Sequence, residues 1–246
     1  MDNILYICLL LMIVIIAIIS PSFISVRVLS DVLTQSDPKM LLAVGMLVVI
    51  IAGGMDMTVG RLAGLGAVVS GTLAQQSTYY IKFWPSLPEM PLIVPIVASI
   101  IVGIISGVIT GLIISKLKVP AFLAGLGLQL IIYGGNLLFM KKAPNNSQPL
   151  AGFKESFTKF GTGSVAGVNY LIIVAFVVMI AVYIILNMTT LGKNIYATGG
   201  NREAAKVAGI NVFKIDMFVY ILSGALAALA GCMLAARTGS ANATYA

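Results

Sequence analysis

Histidine is absent from the 246 residues, and charged residues make up only 9% of them. Without histidine the chain lacks the commonest metal ligand and the commonest general base, so we predict neither a metal site nor acid–base catalysis. Soluble domains carry roughly 25% charged residues, whereas this chain is 59% hydrophobic and has a mean hydropathy of +1.05. The composition therefore predicts an integral membrane protein.

Cysteines and phosphate-binding motifs are also scarce. Cys8 and Cys232 both lie in apolar runs, which suggests neither a disulfide framework nor a zinc site. The sequence contains no G-x-x-x-x-G-K-[ST] phosphate loop, so any ATP hydrolysis has to come from another subunit. The net charge of +7 is expected of membrane loops that face anionic headgroups, and we do not predict nucleic-acid binding.

Uncharged runs of spanning length recur along the chain. We predict an all-α, polytopic transmembrane helical bundle of about seven spans, forming a single domain over residues 1–246. The predicted apolar segments are 3–20 (ended by Pro21), 40–55, 62–74, 92–115, 121–140, 170–187 and 217–236. Polar or interfacial loops are predicted at 26–39, 75–91, 141–169 and 190–216.

Two of these spans carry ridges of small residues. The first ridge recurs at every fourth residue and consists of Gly103, Gly107 and Gly111. Such a ridge lets another helix approach closely, so we predict that it packs against a neighbouring span. The second ridge consists of Ser223, Ala227, Gly231 and Ala235. We expect this ridge to pack on helices that follow the end of the given sequence.

The segment 190–216 is the longest hydrophilic interruption in the C-terminal half of the chain. The pair Gly199-Gly200 predicts a turn, and Asn201 is the expected cap of a helix over residues 202–208. Gly209 can supply the left-handed residue that closes such a helix. A helix this short does not hold in water by itself, so we expect it to dock on something.

The predicted short helix has two kinds of surface. Its small-residue face consists of Ala204, Ala205 and Ala208, and its basic face of Arg202 and Lys206, with Glu203 near the positive end of the helix dipole. An ordinary capped surface helix between two membrane spans is the alternative interpretation.

Asp56 lies between two predicted spans in the segment GGMDMTVGR. An ionisable residue at membrane depth is costly, which makes it a candidate for the translocation path. Nearby glycines would allow the backbone to leave helical geometry where it lines a cavity. Alternatively, Asp56 caps the following helix at the interface, with Arg61 as a loose partner.

One predicted span also carries a polar stripe. Gln129, Tyr133 and Asn136 follow each other at spacings of four and three, so they share one helix face. Amide and phenol groups could bind the hydroxyls of a sugar along a path. Hydrogen bonding between helices is the alternative.

Three segments together resemble one transporter family. GGMDMTVGR is similar to the G-G-x-D-L-S-V-G signature of the monosaccharide branch of ABC permeases, which import ribose and galactose. VPAFLAGLGLQLIIYGGN is similar to that family's V-x-P-F-I-x-T-L-G segment, and Glu203-Ala204-Ala205 followed by Gly209 resembles the E-A-A-x-x-x-G loop. The chain departs from these patterns at Met57, Thr58 and Gly125, where the family has Leu, Ser and Thr.

The resemblance implies a non-catalytic permease subunit in a bacterial inner membrane. Two permease copies would sit on two cytoplasmic ABC ATPase subunits, which hydrolyse the ATP, while an extracytoplasmic sugar-binding protein delivers the substrate. The chain itself would bind no cofactor. The loop 190–216 would be cytoplasmic and fit a groove on the ATPase through the coupling residues Gly200, Asn201, Arg202, Glu203, Ala204, Ala205, Lys206 and Gly209.

The resemblance also supports two expectations, one about the substrate and one about the length of the chain. The Tyr133-Gly134-x-Asn136 pattern is closer to the galactose/methylgalactoside branch than to the ribose branch. Members of the family continue past the point that corresponds to Ala246, so we expect a C-terminally truncated chain that does not transport alone. The rival class is a self-sufficient secondary transporter of a small polar solute, against which scarce intramembrane charge and the lack of a visible repeat argue.

Overall fold

A computed structural model describes residues 4–20, 23–142 and 144–245. Pro21, predicted to end the first span, lies outside these ranges, as does Asn3. The described helices are α1 (Ile4–Ile19), α2 (Val26–Ile51), α3 (Val59–Ala74), α4 (Ile93–Ser115), α5 (Ala121–Met140), α6 (Glu155–Thr162), α7 (Tyr170–Met188), α8 (Thr190–Gly200), α9 (Arg202–Val207) and α10 (Val212–Thr238). The strands β1 (Ser164–Val165) and β2 (Val168–Asn169) form an antiparallel hairpin.

Five of the described helices are long and apolar enough to cross a membrane. They are Val28–Ile51, Ile93–Ser115, Ala121–Met140, Tyr170–Met188 and Val212–Thr238. Two shorter apolar helices, Tyr6–Ile19 and Val59–Ala74, coincide with the other two predicted spans but fall short of spanning length. The chain is thus a helical membrane protein, and the predicted number of seven full spans is not confirmed.

Three predicted loops contain helices. Residues 26–39 belong to α2, which continues through Pro38, residues 141–169 hold α6 and the hairpin, and residues 190–216 hold α8, α9 and the start of α10. In α8 Lys193 and Tyr196 are exposed, while Ile195 is fully buried in an apolar cluster. Tertiary packing of such amphipathic segments outweighs their local polarity. The loop predictions for 26–39 and 141–169 missed these helices, whereas a helix over 202–208 was predicted within 190–216.

The chain divides into two compact units, residues 1–36 and residues 37–246. In the first unit α1 exposes most of its apolar side chains, as expected of a helix surrounded by lipid. The second unit contains α3 to α10 and every candidate site residue, so the rest of the description concerns it.

Helix α10 is the centre of the second unit, with α3 and α4 packed against it. Its contact with α4 is made through the predicted glycine ridge. A Cβ added at Gly103 would lie 2.3 Å from the carbonyl oxygen of Gly224, and one at Gly107 would lie 2.4 Å from that of Tyr220. Gly111 is less tightly packed, since its Cβ would come 2.9 Å from the Met217 sulfur. Only glycine allows the two backbones to approach this closely.

The other side of α10 packs on α3 in the same manner. A Cβ at Gly231 would lie 1.8 Å from the Ala63 carbonyl oxygen, and one at Gly66 would lie 2.3 Å from the Ala228 carbonyl oxygen. The second predicted ridge, Ser223, Ala227, Gly231 and Ala235, is buried in this way inside the chain. The expectation that it packs on helices beyond the given sequence was therefore wrong, because described elements already cover it, with α3 against Gly231 and α2 against Ser223.

Candidate functional site

The α8–α9 corner is built as a capped turn. The Asn201 side chain accepts hydrogen bonds from the backbone N–H groups of Glu203 and Ala204, each at 3.0 Å. Gly209 closes the segment with φ of +83°, the left-handed conformation that glycine adopts without strain. Helix α9 ends at Val207, one residue earlier than predicted, and Gly200 is the last residue of α8 instead of a turn residue.

The predicted small-residue face of α9 is divided between two sides of the helix. Ala205 is only 3% exposed and therefore holds α9 against its own protein. Ala204 and Ala208 are exposed, and Val207 between them is 91% exposed. The exposed apolar surface of α9 is thus Ala204, Val207 and Ala208, and Ala205, predicted to share a face with Ala204 and Ala208, is buried instead. Sequence reasoning missed Val207. The available signal was a large apolar residue on a short helix whose other side chains are charged or small.

The two basic residues of α9 have different partners. Lys206 pairs with Glu203 at 2.6 Å, and this pair lies entirely on α9. The hydrogen bond that Lys206 donates to the Glu203 carboxylate, together with the positive charge of Lys206, holds the pKa of Glu203 below its usual value. Arg202 instead reaches out of α9 and forms a bidentate ion pair with Asp216 of α10.

Asp216 joins three elements at one buried carboxylate. The carboxylate side chain is 3% exposed, and its Oδ2 accepts from Arg202 Nη1 at 3.2 Å and from Ser115 Oγ at 2.8 Å. Ser115 is the last residue of α4. Sequence reasoning missed both Asp216 and Ser115 as site residues, because their contacts join segments far apart in the chain.

Residues 52–58 form a non-helical interruption between α2 and α3. The C-terminal end of α8 packs against this interruption. A Cβ added at Gly199 would lie 1.8 Å from the Ile51 carbonyl oxygen, at the last residue of α2. Gly53, just beyond that residue, has φ of +77°, and a Cβ on it would lie 3.5 Å from the Gly199 Cα. Gly199 was predicted only as a turn residue, yet it makes the closest backbone contact of this corner.

Asp56 occupies the interruption itself and is 2% exposed. Its Oδ1 accepts from the Thr58 backbone N–H at 2.9 Å and from Thr58 Oγ1 at 2.6 Å, one residue before α3 begins. Its Oδ2 accepts from Ser223 Oγ of α10 at 2.8 Å. The bonds to Thr58 form an Asx turn just before α3, whose N-cap residue is Thr58, and the bond to Ser223 adds a tie to α10. Whether Asp56 lies on a translocation path stays a prediction. Arg61, the suggested loose partner, instead lies 4.2 Å from the centroid of the Tyr133 ring.

The polar stripe of α5 is turned inward at one end. Asn136 is 2% exposed, and neither of its amide atoms has a hydrogen-bond partner among the described residues. Tyr133 lies under Arg61 of α3, and Gln129 is half-buried. The stripe thus has contacts with α3, and it presents an amide whose hydrogen-bonding capacity is unused within the described chain.

Two departures from the family pattern lie in contact with each other. A Cβ added at Gly125 would lie 3.0 Å from the Cβ of Met57 and 3.1 Å from its backbone nitrogen. The larger threonine that the pattern has at this position would crowd the Met57 backbone here. Gly125 therefore fits the close approach of α5 to the interrupted segment.

A bundle of apolar helices with a buried polar interruption and an exposed capped helix is the architecture of a multi-pass membrane protein. Residues 28–246 match the family described as "Branched-chain amino acid transport system / permease component". The chain belongs to this family, and the prediction that it is a transport permease is confirmed.

Several curated relatives are similar along almost the whole chain. The galactose/methyl galactoside import permease MglC of Escherichia coli K12 is 38% identical over 96% of this chain and 71% of its own length. MglC of Haemophilus influenzae is 36% identical over 98% of this chain and 72% of its own length. The ribose import permease RbsC of Escherichia coli K12 is 34% identical over 97% and 70%. No solved structure matches the chain.

Proposed function

We propose that the chain is the inner-membrane permease of an ATP-driven importer that carries a monosaccharide into the cytoplasm. The observation that carries this proposal is its similarity to sugar import permeases over nearly its full length. The same similarity favours an importer subunit over a self-sufficient secondary transporter. Identity to the galactose/methyl galactoside permeases is 36–38% and to the ribose permeases 32–34%, which favours a galactose-like substrate.

Uptake in cells tests this proposal. Cells that carry the complete importer should accumulate labelled galactose, and cells without this permease should not. Unlabelled methyl galactoside should compete better than ribose. Accumulation that persists without the permease, or that needs neither an ATPase nor a binding protein, would contradict the proposal.

The exposed surface of α9 supports an ATPase as the cytoplasmic partner. This surface is Ala204, Val207 and Ala208 on a helix whose two ends are fixed by the Asn201 cap and the Gly209 turn. A short helix that exposes a few apolar side chains suits a hydrophobic groove. In the assembled importer ATP would be hydrolysed by that partner, a second permease copy would complete the path, and a binding protein would deliver the sugar from outside.

We expect Val207→Asp to weaken co-purification of the ATPase by about tenfold or more, because a charge would enter a buried apolar contact. Gly209→Val should act similarly, because a β-branched residue disfavours the positive φ that aims the helix exit. The measurement is the yield of ATPase recovered with purified permease.

Lys206→Ala is the matched control for this prediction. It removes a charge whose partner lies on α9 itself, and an exposed charge at an interface rim contributes little affinity. Normal ATPase recovery with both Val207→Asp and Gly209→Val would remove α9 as the docking element.

We also propose that Asn136 meets the transported sugar in another state of the permease, with Tyr133 and Gln129 on the same helix face. Its unused amide supports this idea, since a buried polar group without a partner costs about 1–3 kcal/mol. Asn136→Leu should therefore raise the melting temperature of the permease while lowering sugar uptake. Unchanged uptake together with higher stability would assign the stripe to helix packing alone.

A further inference from the structure

We propose that the α8–α9 corner transmits ATPase movement through two joints, an ionic one to α10 and α4 and a backbone one to the interruption between α2 and α3. The ionic joint consists of Arg202, Asp216 and Ser115, and the backbone joint consists of Gly199 against Ile51. The inference rests on the proposed function, because it takes α9 as the element that an ATPase moves.

The ionic joint is a polar tie from α9 to the bundle. Every residue of α9 except Ala205 is exposed, so the helix is held by that one alanine and by the Arg202 ion pair. Beside the ion pair lies a cleft of about 240 Å³, lined by Ser115, Lys118, Arg202, Lys206, Val212, Phe213 and Asp216. Packing next to the joint is therefore open, so the ion pair and the buried Ala205 are the two contacts through which a displacement of α9 reaches the bundle.

Bidentate geometry makes this contact suitable for transmitting orientation as well as position. The two terminal nitrogens of the Arg202 guanidinium each donate to one carboxylate oxygen of Asp216, and such a pair resists rotation better than a single hydrogen bond. Because Ser115 Oγ donates to the same carboxylate at 2.8 Å, the end of α4 has to follow the movement. One carboxylate thus links the corner to two spans.

The same face of α10 leads from the ionic joint to the interruption. Asp216, Tyr220 and Ser223 follow each other at spacings of four and three, which places them on one face of the helix. Tyr220 donates from its hydroxyl to the Met55 carbonyl oxygen at 3.4 Å, and Ser223 donates to Asp56 at 2.8 Å. Displacement of α10 would therefore pull directly on the segment before α3.

The backbone joint reaches that interruption from the other side. Gly199 leaves no room for a side chain against the Ile51 carbonyl oxygen, so any tilt of α8 pushes the end of α2. Gly53, with positive φ, follows two residues later and can change its backbone angles more freely than other residues. The corner is thus placed to change the geometry of the Gly53–Asp56 segment by two routes.

The test measures sugar uptake and ATP hydrolysis together, in vesicles containing the complete importer. We expect Arg202→Ala to leave permease yield and ATPase recovery unchanged while reducing the sugar moved per ATP by about tenfold, within the usual range of coupling between sites. Asp216→Asn should give the same defect, and the double variant should be no worse than either single one. Ser115→Ala should give a smaller defect, because it releases only α4.

Lys193→Ala is the matched control, because it removes an exposed cation of α8 that forms no ion pair among the described residues. For the backbone joint, Gly199→Ala should reduce the sugar moved per ATP, whereas Gly127→Ala should not, since a Cβ at Gly127 meets nothing within 4 Å. If the unpaired Asp216 carboxylate lowers the yield of Arg202→Ala, Arg202→Lys keeps a positive charge beside Asp216 without the bidentate geometry, and it should show a reduced ratio of sugar moved to ATP hydrolysed.

Three results would overturn the inference. One is an unchanged ratio of uptake to hydrolysis in Arg202→Ala, and another is multiplication of the Arg202 and Asp216 defects in the double variant. The third is loss of ATPase recovery in Arg202→Ala alone, which would make Arg202 a partner contact and leave the proposed function intact. Failure of the unaltered permease to recover any ATPase would instead contradict the proposed function.

Discussion

Gly231→Ala should lower the melting temperature of the purified permease by about 5 °C or more. The new Cβ would lie 1.8 Å from the Ala63 carbonyl oxygen and 2.6 Å from its carbonyl carbon, so the backbones of α10 and α3 must separate. Overpacking of this kind costs about 1–3 kcal/mol and occasionally more. About 1 kcal/mol changes a melting temperature by about 2–4 °C in chains of this size.

Gly127→Ala is the control that separates packing from helix propensity. Gly127 also lies inside a helix, but a Cβ there meets nothing within 4 Å. Alanine favours a helix over glycine by about 1 kcal/mol, so this variant should be as stable as the unaltered permease or more stable. The two variants make the same chemical change, and equal melting temperatures for both would contradict the close α3–α10 contact. Thermal unfolding in one detergent provides the measurement.

Asp56→Leu should destabilise the permease by about 3 kcal/mol or more. The change removes the acceptor for the Thr58 backbone N–H, the Thr58 hydroxyl and the Ser223 hydroxyl. Each buried donor left without an acceptor costs about 1–3 kcal/mol. The connection between the start of α3 and α10 would be lost at the same time, so sugar uptake should fall with the stability.

Asp56→Asn distinguishes the role of shape from the role of charge. Asparagine forms the same turn as aspartate, and its amide can donate to Ser223 while its oxygen still accepts from Thr58. We therefore expect stability within about 1 kcal/mol of the unaltered permease and nearly normal uptake. Strongly reduced uptake by a stable Asn variant would show that the negative charge itself acts on the path. Uptake and melting temperature measured on the same preparations decide between the two.

The sequence predicted helices well where local signals and burial agree. Helix α5 has the predicted bounds, because Pro120 precedes it and the charged Lys141 follows its apolar run. Segment 26–39 was assigned to a loop because its polar residues and Pro38 indicate one locally, although α2 continues through it. A proline inside a helix removes one backbone hydrogen bond, and packing outweighs that cost here in a way that composition does not reveal.

The sequence predicted the two ends of α9 in the candidate site but did not predict the contacts that its side chains make. Asn201 and Gly209 carry specific backbone requirements, which are visible as residue types in the sequence. Which side of α9 faces inward is not visible, because six residues are too few for a periodic pattern to distinguish Ala205 from Ala204. The Asp216 contact depends on how the chain folds back after Gly209, so no local pattern could pair that carboxylate with Arg202.

The backbone contact between Gly231 and Ala63 also limits how the permease can be repaired by selection. Substitutions in an ordinary core are often rescued when a facing side chain becomes smaller. Here the atom opposite Gly231 is a main-chain carbonyl oxygen. Every residue has this group, so no substitution on α3 can remove it. Revertants selected from a Gly231 variant should therefore restore the glycine itself or carry changes elsewhere that shift a whole helix. Second-site suppressors at position 63 should not be found among them.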